Sequence, residues 1–241
     1  MTDAFYSRTE MLLGEEGVRR LMAARVAIFG IGGVGGHAME ALCRAGVGEF
    51  LLVDSDTVSE SNINRQIIAT RDTVGLYKTE AARRRIEQIN PNATVAERRV
   101  FFRPEHRADF DLSGYDYVID AIDSVAAKVE LISMARDAGV PIISAMGAGN
   151  KLDPTAFRVA DISKTEICPL ARAVRIALRK RGINHTKVVY STELPSKVKD
   201  SPEDTKADGA RAPGSISFVP SVMGLIIAGE VVRDIALGGA D

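Results

Sequence analysis

The chain has 241 residues, long enough to enclose a substantial hydrophobic core. Hydrophobic residues make up 46% and charged residues 26% of the sequence, proportions that exclude a disordered or fibrous protein. The 31 Lys and Arg nearly balance the 32 Asp and Glu, so a polyanionic partner would have to bind a local basic patch rather than the whole surface.

Cysteine usage and the N-terminal sequence bear on the compartment. Cys43 and Cys168 lie far apart and form no C-x-x-C pair, which argues against a disulfide scaffold or a four-thiolate zinc site and favours a reducing cytoplasm. The N-terminus, MTDAFYSRTEMLLGEEG, is charged and lacks an apolar stretch, so no signal peptide is predicted. The most apolar segment, 219–237, is interrupted by three charged residues, which indicates a buried helix rather than a membrane anchor.

Strand and helix patterns alternate along the first half of the chain. Short apolar runs predict strands at 25–30, 49–54, 94–100, 117–120 and 140–144. Between them, helical patterns run from the glycines at 32–36 to about residue 45, from about 74 to 89, and over 124–138. This alternation predicts an α/β fold, with a Rossmann-like, doubly wound and mostly parallel sheet.

The second half is less regular. It predicts an antiparallel edge strand at 157–162, a helix at 169–181, a strand at 187–192 and a closing helix at 220–237. Residues 193–213 are rich in Lys, Asp, Ser, Pro and Gly, which indicates a flexible loop. We expect a single domain, 1–241, made of a first half, 1–150, and an antiparallel C-terminal extension, 151–241.

A glycine-rich turn is the clearest local motif. Gly30, Gly32, Gly33 and Gly35 follow a predicted strand and open a helix, where backbone N–H groups can approach a phosphate at the positive helix end. Asp54 ends the next strand, where an acid commonly holds ribose hydroxyls. These features leave NAD, FAD, S-adenosylmethionine and ATP open as ligands.

The residues that follow favour ATP. The segment after the second strand carries Asp56, Asn62, Arg65 and Gln66, and Lys78 comes next. An arginine and a lysine converging on a nucleotide suit an enzyme that cleaves ATP, because fixed cations stabilise the charge that builds on the phosphates. A hydride-transferring oxidoreductase has no need of them, and a binding-only protein would have no need to retain the full set.

A second acid predicts a metal ligand. Asp123 and Ser124 come directly after the buried strand at 117–120, at the edge of the sheet that faces the glycine turn. Carboxylate oxygens are preferred ligands of Mg²⁺, so Asp123 is the candidate for that ion.

These motifs together resemble the ubiquitin-activating-type (ThiF/MoeB-like) adenylyltransferase superfamily. The matching segments are GIGGVG at 30–35, DSD at 54–56, SNINRQ at 61–66, VGLYK at 74–78, INP at 89–91 and VIDAIDS at 118–124. The resemblance implies ATP and Mg²⁺ as cofactors, with Arg65, Lys78 and Asp123 as catalytic residues. It implies these cofactor-binding residues: Gly30, Gly32, Gly33, Gly35, Asp54, Asp56, Asn62, Arg65, Gln66, Lys78, Asp123 and Ser124.

The same resemblance implies a homodimer. Residues 1–150 would form the nucleotide-binding half, and residues 151–241 the half for substrate and dimer contacts. In homodimeric members an N-terminal arginine reaches the partner subunit's ATP, and Arg8 stands at the corresponding place. Arg8 is therefore a further catalytic candidate.

The second half is similar to the tRNA threonylcarbamoyladenosine dehydratase family, through residues 153–183, 188–193 and 213–235. That similarity implies ATP-dependent dehydration of N6-threonylcarbamoyladenosine next to the anticodon. Activation of the threonyl carboxylate would be followed by attack from within the same base, so Cys168 is not required. The similarity leaves open whether the enzyme also binds a monovalent cation, and whether a sulfur-relay or acceptor protein is a partner.

The alternative is an adenylyltransferase that activates the C-terminal glycine of a ubiquitin-like sulfur carrier. Such members typically hold zinc with two C-x-x-C pairs, and many use a cysteine in the long loop. This chain has neither feature.

A tRNA substrate requires a basic surface. Residues 164–187 carry seven Lys and Arg against one acid. Three of these arginines recur at helical spacing opposite an apolar face, which favours a phosphate-binding stripe over a merely solvated one. The candidate tRNA-binding residues are Arg172, Arg175, Arg179, Lys180 and Arg181.

Overall fold

A computed structural model describes residues 4–196 and 213–238. Its seven strands form one sheet in the order β3-β2-β1-β4-β5-β7-β6. All neighbouring strands are parallel except the pair β6 and β7. The strands are β1 (Arg25–Phe29), β2 (Glu49–Val53), β3 (Thr94–Arg98), β4 (Tyr117–Asp120), β5 (Ile142–Ala145), β6 (Phe157–Asp161) and β7 (Lys187–Ser191).

The described helices cover both faces of this sheet. They are α1 (Ser7–Ala23), α2 (Gly35–Ala45), α3 (Lys78–Ile89), α4 (Val125–Ala138), α5 (Pro169–Lys180) and α6 (Phe218–Leu237). One core lies between the sheet and α1, α2, α3 and α6, and a second lies under α4. A third apolar cluster joins α4 to α5. The prediction of a doubly wound, mostly parallel sheet with an antiparallel C-terminal pair is confirmed.

The sheet has a switch point between β1 and β4. Strands β2 and β3 extend the sheet on one side of β1, whereas β4 and β5 extend it on the other. The chain connections diverge there, which opens a crevice at the carboxyl ends of the strands.

Two helices differ from the sequence prediction. Helix α1 was not anticipated, and it bends at Gly14, whose φ of 72° is left-handed. Helix α3 begins at Lys78 rather than near residue 74. The preceding residues instead form a turn with Gly75 at φ 89°, because Gly75 N donates to Val58 O and Val58 N donates to Leu76 O.

Two further predictions concern the C-terminal half. The predicted loop 193–213 is described only at 193–196 and 213, and residues 197–212 lie outside the described part of the chain. Helix α6 is apolar but packs close to α2, since a Cβ at Gly224 would lie 2.4 Å from Val34 O. Among the described residues, none of the helices combines the length and the apolar character that crossing a membrane requires.

Candidate nucleotide-binding site

A cavity of about 410 Å³ opens at the switch point, over the carboxyl ends of β1, β2 and β4. Most of the predicted cofactor-binding residues line this cavity. They are Gly30, Gly32, Gly33, Asp54, Asp56, Asn62, Arg65, Gln66, Lys78 and Asp123. Residues scattered over more than ninety positions of sequence thus converge on one volume.

The glycine turn requires glycine for steric reasons at two positions. Gly30 has a φ of 91°, which L side chains rarely adopt. A Cβ at Gly35 would lie 1.9 Å from Gly30 O, so Gly35 lets the turn close upon itself without itself lining the cavity. The turn leads directly into α2, whose N-terminal backbone N–H groups form the positive end of a helix dipole.

Asp54 fastens the end of β2 to this turn. Its Oδ2 accepts a hydrogen bond from Ile31 N at 2.7 Å, and its Oδ1 accepts one from Asp56 N at 2.9 Å. Burial raises the pKa of Asp54 above its ordinary value, and the nearby Lys78 ammonium and these two N–H groups oppose that rise. The carboxylate therefore lies in a weakly hydrated place beside the turn, where a hydroxyl donor would bind it strongly.

Lys78 lies at the first position of α3 and reaches into the cavity. Its Nζ is 2.6 Å from Asp56 Oδ2, and its side chain is only 9% exposed whereas that of Asp56 is 59% exposed. Lys78 N also donates to Asp56 O at 2.9 Å. The ammonium is thus held in place by a carboxylate at the cavity surface.

The segment 61–66 supplies further polar groups to the cavity. Asn62 is buried and its Oδ1 accepts from Ser59 N, so its side chain shapes a turn. Arg65 Nη1 donates to Ser61 O at 3.0 Å and to Asn64 Oδ1 at 2.8 Å. Gln66 is buried, and its Oε1 is the one buried side-chain oxygen or nitrogen of the described chain without a hydrogen-bond partner. That oxygen calls for a donor from a ligand or from water.

Asp123 and Ser124 are neighbours in sequence, but only Asp123 lines the cavity. Asp123 is exposed and lines the cavity, on the side of β4. Ser124 is not among the lining residues, and it caps α4 by accepting a hydrogen bond from Ala127 N. Within the described residues, no three His, Cys, Asp or Glu side chains cluster as a metal site. Mg²⁺ often binds through one or two carboxylates and substrate phosphates, so a single carboxylate at this place fits that ion.

Beneath this edge lies a buried ionic group that the sequence analysis did not identify. Lys128 Nζ is 3.0 Å from Asp120 Oδ2, and both side chains are fully buried. Ser144 Oγ donates to the same carboxylate oxygen, while Asp120 Oδ1 accepts from Ile122 N at 3.1 Å. The group therefore ties the ends of β4 and β5 to the loop that carries Asp123. Its signal in the sequence was a lysine between apolar residues in the first half of a predicted helix.

The predicted basic stripe of α5 divides into two sets. Arg172, Arg179 and Lys180 are exposed. Arg175 is half-buried and its Nη1 donates to Thr165 O at 2.7 Å, and Arg181 pairs with the buried Glu130 at 2.7 Å. Two of the five cations are therefore engaged in contacts within the protein.

The remaining candidates lie away from the cavity walls. Arg8 is exposed in the first turn of α1 and is not among the residues that line the cavity. Cys168 is buried at the start of α5, facing Gly147. Cys43 is buried in the core, and burial raises the pKa of its thiol to about 12, so it stays protonated and unreactive.

Comparison with known proteins agrees with this architecture. The ThiF family profile matches residues 6–238. The chain is 44% identical over 238 residues to tRNA threonylcarbamoyladenosine dehydratase of Bacillus subtilis, covering 95% of this chain and 94% of that protein. Two solved structures of Escherichia coli tRNA N6-threonylcarbamoyladenosine dehydratase are 35% identical, and each comparison covers 98% of this chain and 97% of that one. The TM-score is 0.87 for the complex with AMP and 0.86 for the complex with ATP. The chain therefore belongs to the ThiF family.

Proposed function

We propose that this protein is an ATP-dependent dehydratase of N6-threonylcarbamoyladenosine in tRNA. The observation that carries the proposal is the convergence of Asp54, Arg65, Lys78 and Asp123 on one cavity beside a glycine turn. The similarity over nearly the full chain to dehydratases of that name supports the choice of substrate.

The proposed reaction has two steps. A threonyl carboxylate oxygen attacks the α-phosphorus of ATP and pyrophosphate leaves, which converts a poor leaving group into a mixed anhydride with AMP. A nucleophile within the same modified base then attacks the activated carbonyl and expels AMP, which retains the carboxylate oxygen. The nucleoside thereby loses one water, and no enzyme thiol takes part.

The side chains of the cavity account for the first step. Arg65 and Lys78 would stabilise the charge that develops at the α-phosphate, where one such interaction is worth about 3 kcal/mol. Asp123 would hold Mg²⁺, which neutralises charge on the phosphate oxygens. Asp54 would fix the ribose and so orient the phosphates toward these cations.

The tRNA would bind along the exposed cations of α5. Arg172, Arg179 and Lys180 face solvent and are the residues free to meet phosphates. Arg175 and Arg181 would support the helix rather than contact RNA, because each already binds a protein acceptor.

A second copy of the chain would complete the enzyme. Met11 and Leu12 of α1 are 84% and 86% exposed, an apolar pair that a partner subunit would cover. Arg8 is on the same helix, about one turn away, and would reach the partner's ATP. The substrate implies that the enzyme acts in the compartment that holds tRNA.

The second candidate is activation of a sulfur-carrier protein ending in Gly-Gly. It shares the adenylation step, but the sequence contains two cysteines and no C-x-x-C pair for the structural zinc that such enzymes typically hold. Under the dehydratase proposal, by contrast, a sulfur-relay or acceptor protein would be a partner rather than a substrate.

Nucleoside mass analysis tests the proposal. The protein is incubated with ATP, Mg²⁺ and tRNA that carries threonylcarbamoyladenosine, and the tRNA is then digested. We expect that nucleoside to lose the mass of one water only when ATP is present. No loss of water, with ATP turned over upon addition of a carrier protein ending in Gly-Gly, would favour the second candidate.

A further inference from the structure

One wall of the nucleotide cavity is formed by the residues at 213–215, here called the wall segment. Pro213 and Ser215 line the cavity together with Gly149. Pro213 packs so closely on Gly149 that a Cβ there would lie 2.6 Å from the proline Cβ. The wall segment is far in sequence from Gly149 and from the glycine turn at 30–35, so its contacts with that part of the cavity are tertiary.

Asn150 holds the wall segment by two hydrogen bonds. Its backbone N donates to Gly214 O at 2.8 Å, and its Oδ1 accepts from Gly214 N at 2.7 Å. Its own carbonyl accepts from Ser196 N at 2.7 Å. Asn150 makes these contacts at a φ of 58°, and it is one of two non-glycine residues of the described chain with a left-handed backbone. Asparagine is among the residues that tolerate this conformation, at some cost in energy.

The wall segment in turn contacts the side chain beside the catalytic arginine. Asn64 Nδ2 donates to Ser215 O at 3.1 Å, and Asn64 Oδ1 accepts from Arg65 Nη1 at 2.8 Å. Both ends of the Asn64 amide are therefore used, so its orientation is set by the wall segment on one side and by the guanidinium on the other.

We propose that Asn150 is a positioning residue for Arg65, acting through the wall segment and Asn64. The proposal deepens the function proposed above and rests on it, since Arg65 must meet the phosphates of ATP for its position to matter. Asn150 itself is not among the residues that line the cavity. It fixes the wall segment, the wall segment orients the Asn64 amide, and that amide holds the guanidinium toward the cavity.

The test measures ATP affinity and ATP–pyrophosphate exchange for variants of Asn150. Asn150→Gly keeps the left-handed backbone accessible but removes the acceptor for Gly214 N, whereas Asn150→Asp retains that acceptor. We expect Asn150→Gly to weaken ATP binding and to lower exchange by about three- to tenfold, the size expected for the loss of one hydrogen bond. Asn150→Asp should retain most of the ATP affinity and most of the ATP–pyrophosphate exchange.

Coupling to Arg65 is the decisive measurement. If Asn150 acts through Arg65, the Asn150→Gly change will no longer alter ATP affinity in a protein that already carries Arg65→Ala, and it will add little to Asn64→Ala. An equal loss of affinity in both backgrounds would overturn the proposal, because it would show a general structural effect.

Two comparisons separate the possible failures. Asn184→Gly makes the same replacement at an exposed residue outside the cavity, and it should leave ATP affinity unchanged. Wild-type protein that shows no exchange would count against the proposed function itself. Exchange that depends on Arg65 but not on Asn150 would reject the positioning role alone.

Discussion

The cations of the cavity are held in place by specific acceptors. Lys78 is paired with Asp56, and Arg65 donates to a carbonyl and to Asn64. These contacts already restrict the rotamers of two long side chains. Less side-chain entropy is therefore lost when such a side chain binds a phosphate. At the phosphates where we propose that they act, these cations would stabilise charge with little reorganisation.

Replacing Arg65 or Asp123 by alanine should abolish ATP–pyrophosphate exchange without unfolding the protein. Each loses a group expected at the phosphates, and Asp123 is exposed, so its removal should change the free energy of unfolding by no more than about 0.5 kcal/mol. Exchange assays and thermal unfolding of each variant check this. Normal exchange in either variant would refute the role assigned to that residue.

At the scale of single elements, helices α4 and α5 hold charged side chains in contacts beneath the candidate surfaces. Helix α4 supplies Lys128 to a carboxylate at the end of β4, and α5 directs Arg175 inward while it exposes Arg172. In α5, the amphipathic pattern that packs the helix also leaves Arg172 on the exposed face. A buried ion pair of this kind is a structural requirement because an unpartnered charge in the core is costly.

Lys128→Ala should lower the free energy of unfolding by about 3–5 kcal/mol, since it leaves the buried Asp120 without its cation. Urea unfolding of the variant measures the loss. Lys180→Ala, the same substitution at an exposed position, should have almost no effect on the free energy of unfolding. A Lys128 variant as stable as wild type would show that this ion pair contributes nothing to the free energy of unfolding.

Reversing the exposed charges of α5 tests the RNA surface. Arg172→Glu, Arg179→Glu and Lys180→Glu should each weaken tRNA binding and reduce the slope of log affinity against log salt by about one for each lost phosphate contact. Binding titrations at several salt concentrations check this. Arg175→Ala should instead lower the free energy of unfolding and leave the slope of log affinity against log salt unchanged. If Arg175→Ala reduced that slope and the three charge reversals did not, the RNA-binding surface would lie elsewhere.

At the scale of the whole molecule, three buried or half-buried glutamates, Glu40, Glu97 and Glu130, are paired with arginines. Burial alone would raise the pKa of Glu40, but hydrogen bonds from Arg85 and Arg44 outweigh it and hold the pKa below the ordinary value of 4.5. The same balance holds the pKa values of Glu97 and Glu130 below their ordinary range. These pairs link helices to strands and to one another, so their protonation affects the fold as a unit.

The protein should therefore lose stability in acid. A carboxyl whose pKa is lowered by folding contributes stability that is fully present above its unfolded pKa, near 4.5, and is lost as the pH falls through the lower folded value. Urea unfolding at pH 7 and at decreasing pH below 4.5 measures the loss. Glu40→Gln should flatten this dependence, and an unchanged curve would show that Glu40 contributes nothing to it.

Much of the fold was predictable because its signals are local. Apolar runs closed by glycine or aspartate indicated the parallel strands, and the glycines at 30–35 indicated the turn into α2. Helix α1 was missed. Helix α3 was predicted to begin too early, because the turn around Gly75 depends on hydrogen bonds with Val58 that no local pattern reveals.

By itself, the sequence determined the α/β class, the glycine turn and the polar residues that follow each strand, since these depend on neighbours along the chain. The tertiary structure decided which of those polar groups converge and which are engaged elsewhere. The pairing of Lys128 with Asp120, the inward direction of Arg175 and the hold of Asn150 on Gly214 all depend on packing. The physical reason is that a hydrogen bond or ion pair is satisfied by proximity in space, and proximity across a sheet is set by the core rather than by spacing in sequence.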